Sequence, residues 1–244
     1  MRALSASELL EVWECGLSQT PVQRALELLA AASVETPRDS LPGLSIGRRD
    51  ASLLTLRERT FGPRMASLVV CPRCGQQLEL TFNVDDVRAG SPAESGPEMA
   101  MTISGYELQF RLPNSADVAA VAGCPDSSEK QQLLFARCLL AARCNGEATT
   151  PNRLPADVID AVAERMAQTD PQADVQLDIS CPSCGHRWHA ALDIVSFFWS
   201  EIDAWARRTL REVHTLASAY GWHERDILAL SLWRRQLYLE MVGA

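Results

Sequence analysis

Apolar residues recur every three or four positions at both ends of the chain, and at every second position in two stretches between them. The pattern alone therefore predicts helices outside and strands inside. Ser7 is placed to cap a first short helix carrying Leu9, Leu10, Val12 and Trp13. Thr20-Pro21 opens a second, with Thr20 as N-cap and Pro21 at the first helical position, ahead of Val22, Ala25, Leu26 and Leu29. Pro37, Pro42, Gly43 and Gly47 make a loop of Ser33–Gly47, and a third helix follows over about Asp50–Thr60.

Strand signals then take over. Met65–Val70 is apolar and β-branched at its end, while Leu78, Leu80, Phe82 and Val84 alternate with polar residues. Ala89–Pro97 has the Gly/Pro/Ser/Glu composition of a mobile linker. Met101–Ile103 and Tyr106–Leu112 predict a hairpin turning at Ser104-Gly105. Helices are expected near Ala116–Ala122, Ser128–Arg143 and Ala156–Gln168. A second alternating pair follows, with Val175, Leu177 and Ile179 on one strand and Trp188, Ala190 and Leu192 on its return.

The last quarter is helical again. Asp193 can cap a long helix with the stripe Ile194, Phe197, Phe198, Ile202, Trp205, Val213, Leu216 and Tyr220, and Gly221 is placed to stop it. Two short helices, about Glu224–Leu230 and Leu232–Val242, complete the chain, the second capped by Ser231.

Composition narrows the class. The chain has 244 residues, is 47% hydrophobic and carries a formal charge of −8, so the whole molecule is not drawn to nucleic acid or an anionic membrane. Lys130 is its single lysine. No segment reaches the roughly 18–20 apolar residues of a membrane helix, and Met1–Glu8 lacks a signal peptide's apolar run. The expected location is a bacterial or host-cell cytoplasm, with incorporation into a particle left open. In that reducing compartment, closely spaced cysteines point to metal rather than disulfides.

Two such pairs are present: Cys71-Pro72-Arg73-Cys74-Gly75 and Cys181-Pro182-Ser183-Cys184-Gly185. The spacing lets both thiolates of a knuckle face one ion, proline stiffens the turn, and glycine accepts the positive φ on leaving it. Four thiolates make a soft, closed, tetrahedral site of the kind that selects one structural Zn²⁺. The fold class this predicts is α+β: a four-cysteine zinc ribbon of antiparallel hairpins, flanked by helices, with a mainly helical insertion between the knuckles. Its segments are 1–63 (N-terminal helices), 64–84 with 172–192 (the split ribbon), 85–171 (linker, hairpin and helices) and 193–244 (C-terminal helices). His186 and His189 follow the second knuckle closely and stay open as rival ligands. Cys15, Cys124, Cys138 and Cys144 lack paired spacing.

A closed four-thiolate site leaves no position for a catalytic water. The chain also lacks His-x-Glu, Gly-x-Ser-x-Gly, His-Glu-x-x-His and a phosphate-binding glycine loop. No catalytic constellation is present, and the chain is expected not to be an enzyme. Two binding readings stand instead. Arg48, Arg49, Arg57, Arg59, Arg64 and Arg73 lie close together, and such a patch could meet phosphates; this is the alternative of a nucleic-acid-binding zinc ribbon. It is the weaker reading, because a solvated, salt-bridged helix face explains the arginines. Trp222, Trp233, Arg234, Arg235 and Tyr238 supply the aromatics and arginines favoured at protein interfaces.

Leu210–Trp222, Asp226–Leu230 and Arg234–Leu239, with the split knuckles and the strand Tyr106–Leu112 followed by Pro113 and a helix, resemble the T-even-type phage baseplate hub assembly chaperone family. Relatives belong to phage tails and bacterial contractile injection systems. The resemblance implies a non-catalytic helper or minor component in building a baseplate, with hub and spike proteins as partners and no membrane. His223 departs from the Ser/Thr helix cap expected there.

Overall fold

The computed structural model describes residues 1–33, 36–90 and 98–243. Along them run α1 (Ala6–Gly16), α2 (Pro21–Ala32), α3 (Ile46–Phe61), β1 (Arg64–Val70), β2 (Gln77–Asn83), β3 (Met99–Ile103) and β4 (Tyr106–Phe110). Then come α4 (Ser115–Val121), α5 (Ser127–Cys138), β5 (Leu139–Cys144), β6 (Glu147–Ala148), α6 (Ala156–Thr169), β7 (Gln176–Ser180) and β8 (Arg187–Ala191). The long helix α7 (Ile194–Tyr220), α8 (Glu224–Leu228) and α9 (Leu232–Val242) finish the chain. The class is mixed α and β with small antiparallel sheets. The expected mobile linker falls largely on residues 91–97, outside the described residues.

Two compact units form, 1–35 with 193–244 and 36–192. The helix α3, grouped by sequence with the N-terminal segment, belongs to the second unit.

In the first unit, α7 packs against α1, α2, α8 and α9. Its N-terminus is capped as expected: Asp193 accepts from the Val195 and Ser196 N–H groups, and Gly221 ends the helix in the left-handed region at φ 67°. The buried stripe is Ile194, Val195, Phe198, Ile202, Ala206, Thr209, Val213 and Leu216. It differs from the expected one at its middle, where Ala206 and Thr209 replace the half-buried Trp205 because small side chains permit close approach. It differs also at its ends, where Phe197 is half-buried beside buried Val195 and Tyr220 is exposed. The Trp13 indole N–H donates to Asp203 at 2.9 Å, and the Arg24 guanidinium lies 4.4 Å above the Trp199 ring. The cap of α1 is Ser5 rather than Ser7, because Glu8 completes a capping box with Ser5. The Arg2 hydrogen bonds, followed by the Ser5 backbone, hold the Glu8 carboxyl down to about 2.

In the second unit, β1 pairs with β2, β7 pairs with β8, and β3-β4-β5-β6 form a four-stranded antiparallel sheet. Leu108 and Phe110 from that sheet bury against Val158 and Val162 of α6. The helix predicted over 128–143 is shorter than expected. It ends at Cys138, and residues 139–144 are β5, paired with β4 from Tyr106↔Cys144 to Phe110↔Leu139. Leu-Leu-Ala-Ala is good helix sequence, but pairing across the sheet overrides local propensity. The helix α3 starts at Ile46, earlier than predicted, because its N-terminus is held from two sides. Ser45 Oγ accepts from the Arg48 N–H, and the buried Asp170 accepts from the Gly47 N–H at 2.9 Å. A side chain on Gly47 would collide with the Asp170 carboxylate. Strand β2 stops at Asn83, one residue short of Val84, where Asn83 and Asp86 cap a tight turn.

Candidate metal centre

Each knuckle closes a two-stranded hairpin. The two are built alike, since the Cys71 N–H donates to Gln76 O and the Gly75 N–H to Cys71 O, while Cys181 does the same with His186 O and Gly185. Gly75 and Gly185 leave their turns at φ 73° and 68°, where a β-carbon would be strained. The first cysteine of each pair, Cys71 or Cys181, is buried. The second, Cys74 or Cys184, is more open.

The hairpins bring all four sulfurs within 4.8 Å of one another. Cys71 Sγ lies 3.7 Å from Cys184 Sγ, and Cys74 Sγ lies 3.6 Å from Cys181 Sγ, so the short edges cross between knuckles. Tetrahedral sulfurs about 2.3 Å from a central ion stand about 3.8 Å apart, whereas a disulfide needs about 2.05 Å. The four residues are therefore placed to hold a metal ion.

Electrostatics point the same way. Burial pushes the Cys181 thiol up, but the Cys184 and Ser183 N–H groups and the neighbouring thiols bring it down to about 7. The Gln76 N–H favours a thiolate at Cys74, yet hydrogen bonding with Cys184 and desolvation push that thiol up to about 12. The crowded sulfurs thus favour ionisation at Cys181 and oppose it at Cys74, a conflict that a bound cation relieves.

Neither histidine joins the four sulfurs. His186 stacks on Trp188 with ring centroids 5.8 Å apart, and His189 Nδ1 lies 2.6 Å from Asp178 Oδ1. Cys138 is a small buried core residue whose thiol burial raises to about 11.

Among the six arginines proposed for phosphates, Arg49 and Arg57 are buried. Arg49 pairs with Asp50 at 2.7 Å. Arg57 donates to Gly62 O and Arg64 O, both at 2.7 Å, pinning the end of α3 to the start of β1. Sequence reasoning missed this role, although Arg57 continues the buried series Leu53, Leu54 at helical spacing. The C-terminal residues also divide. Arg235 is buried and bonded to Glu212 at 2.9 Å, so its charge is used within the unit. Trp222 stacks on Tyr220 at 4.7 Å and meets Tyr238 edge-on at 4.8 Å. Trp233 is 72% exposed, and Arg234 is exposed beside it.

These features define a protein of mixed α and β structure in which two distant hairpins are brought together at one four-cysteine cradle. Its family is shown by comparison: the model described as T4 bacteriophage base plate protein matches residues 6–199, and the chain belongs to that family. The match stops short of Leu210–Leu239, where the resemblance seen in the sequence is most specific. No curated protein and no solved structure matches the chain. Among the described residues, no helix is long and apolar enough to cross a membrane.

Proposed function

We propose that this baseplate protein is a non-catalytic assembly factor or minor component of a phage tail or contractile injection system, working through contacts with hub or spike proteins. Membership of the baseplate family carries the reading. In it, the four cysteines hold one structural Zn²⁺ that closes a split zinc ribbon, with the 85–171 insertion hung between its halves. A closed sulfur site suits a structural role, because all four positions belong to the protein.

Co-expression of the full chain with the hub and spike proteins tests the partner assignment. A stoichiometric complex surviving gel filtration is expected, and mass spectrometry of finished particles separates a helper from a resident component. Failure of both proteins to associate would remove the hub-and-spike reading. Nucleic-acid binding gives a separate prediction. With Arg49 and Arg57 buried, the chain should show no specific affinity for DNA or RNA at physiological salt. Submicromolar binding there, falling with ionic strength at a slope of about −0.9 per phosphate neutralised, would favour the nucleic-acid-binding ribbon instead.

A further inference from the structure

The knuckle hairpins present four outer strand edges, and one differs from the rest. In the first hairpin, Val84 N–H donates to Pro63 O and Cys71 N–H to Gln76 O, so odd-numbered residues of β1 bond to β2. Ala66, Leu68 and Val70 therefore turn their backbone N–H and C=O groups away from β2. Arg64 shares that edge, but its carbonyl is occupied by Arg57. The same counting puts Gln77, Glu79 and Thr81 on the outer edge of β2. In the second hairpin, Leu192 N–H donates to Val175 O and Cys181 N–H to His186 O. That leaves Gln176, Asp178 and Ser180 outward on β7 and Arg187, His189 and Ala191 outward on β8.

Proteins guard free strand edges with charged or polar side chains. Three of these edges are guarded in that way. The β1 edge carries Ala66, Leu68 and Val70 instead, with Leu68 71% and Val70 57% exposed. Among the described residues no strand pairs with this edge, and free strand backbone beside exposed apolar side chains is a template for another strand. Charge selects what fits. Exposed Arg64 and Arg73 bracket the edge, and neither has an ion-pair partner among the described residues. A second copy pairing antiparallel about Leu68 would set Arg64 opposite Pro72 of the other chain, beside its Arg73, at both ends of the pairing. Self-association is thus opposed, and an acidic-ended strand is favoured.

We infer that the β1 edge is a docking site for an extended segment of a partner protein, added as a third strand, with alternating apolar residues and an acidic residue at each end. Only the assignment of that partner to the baseplate rests on the assembly reading above. The probe is a fluorescein-tagged peptide, Glu-Thr-Val-Thr-Val-Thr-Val-Thr-Glu, titrated into the full metal-bound chain at low salt with anisotropy as readout. Saturable binding is expected, together with slowed hydrogen exchange at the Ala66, Leu68 and Val70 amides. Replacing both glutamates by arginine should weaken binding at least tenfold, as should N-methylating the peptide along one edge. Leu68→Lys should do the same while keeping the metal, because Leu68 is exposed. No saturation up to millimolar peptide, equal binding of the N-methylated or arginine-ended peptide, or protection confined to the other three edges would each overturn the inference. So would concentration-dependent dimers that vanish with Leu68→Lys. The peptide reads the edge alone and co-purification with hub or spike reads the assembly role, so either can fail without the other.

Discussion

Cys181→Ser is expected to release the metal and abolish cooperative unfolding of the 36–192 unit. Isolated two-stranded hairpins are marginal in water. Among the described residues, β1–β2 and β7–β8 each pair only within themselves. A metal ion held by the four cysteines would join them across residues 75–180 of intervening chain, and closing so long a loop stabilises mainly by restricting the unfolded state. Structural zinc supplies about 10–16 kcal/mol in small metal-built domains, comparable to the about 5–15 kcal/mol of a whole domain. Serine keeps the shape but not a thiolate, and Cys181 is the buried cysteine of its knuckle. Elemental analysis should find one zinc per wild-type chain and far less in the variant, with a broad, shallow urea transition. The exposed Cys15, outside the cradle, supplies the control, since Cys15→Ser should change neither. A metal-free wild type, or Cys71 and Cys74 oxidised under native conditions, would sink the claim. One iron per chain would keep the cradle and replace the zinc, because tetrahedral sulfur accepts either metal.

Local signals carried much of this structure and failed at identifiable places. The knuckles, the caps Thr20, Asp193 and Ser231, and the Ser104-Gly105 turn depend on a few adjacent residues, and the structure has them where the sequence predicts. Strand β5 was not legible, because what makes Leu139–Cys144 a strand is its partner β4. Arg57 reads as a surface charge by residue type and is a buried fastener by position. The remote cap that Asp170 gives α3 spans 123 residues of sequence, beyond any local window. In the centre itself, residue type and spacing named the four cysteines, whereas the crossed pairing of their sulfurs needed both hairpins in place.

The C-terminal helices offer the second large effect, because neighbouring residues there should respond oppositely. Cutting the chain after Tyr220 cannot separate docking from folding, since Ile227, Leu228 and Leu239 are buried and Arg235 anchors α9 to Glu212 on α7. Point changes can. Ile227 is fully buried, so Ile227→Ala should cost about 2–5 kcal/mol of stability through lost contacts and the cavity left behind. Trp233 is 72% exposed, next to exposed Leu232 and on the same helix as exposed Met241. Removing its ring deletes few internal contacts, so Trp233→Ala should change stability by no more than about 0.5 kcal/mol. If α9 docks onto a hub or spike protein, the same change should cost about 2 kcal/mol or more in binding, roughly 30-fold in Kd. Urea unfolding and titration against the purified partner give the two numbers for each variant. Unchanged affinity for Trp233→Ala would remove α9 from the interface. A large loss of stability would instead make Trp233 a packing residue, leaving the docking role to the β1 edge or another face.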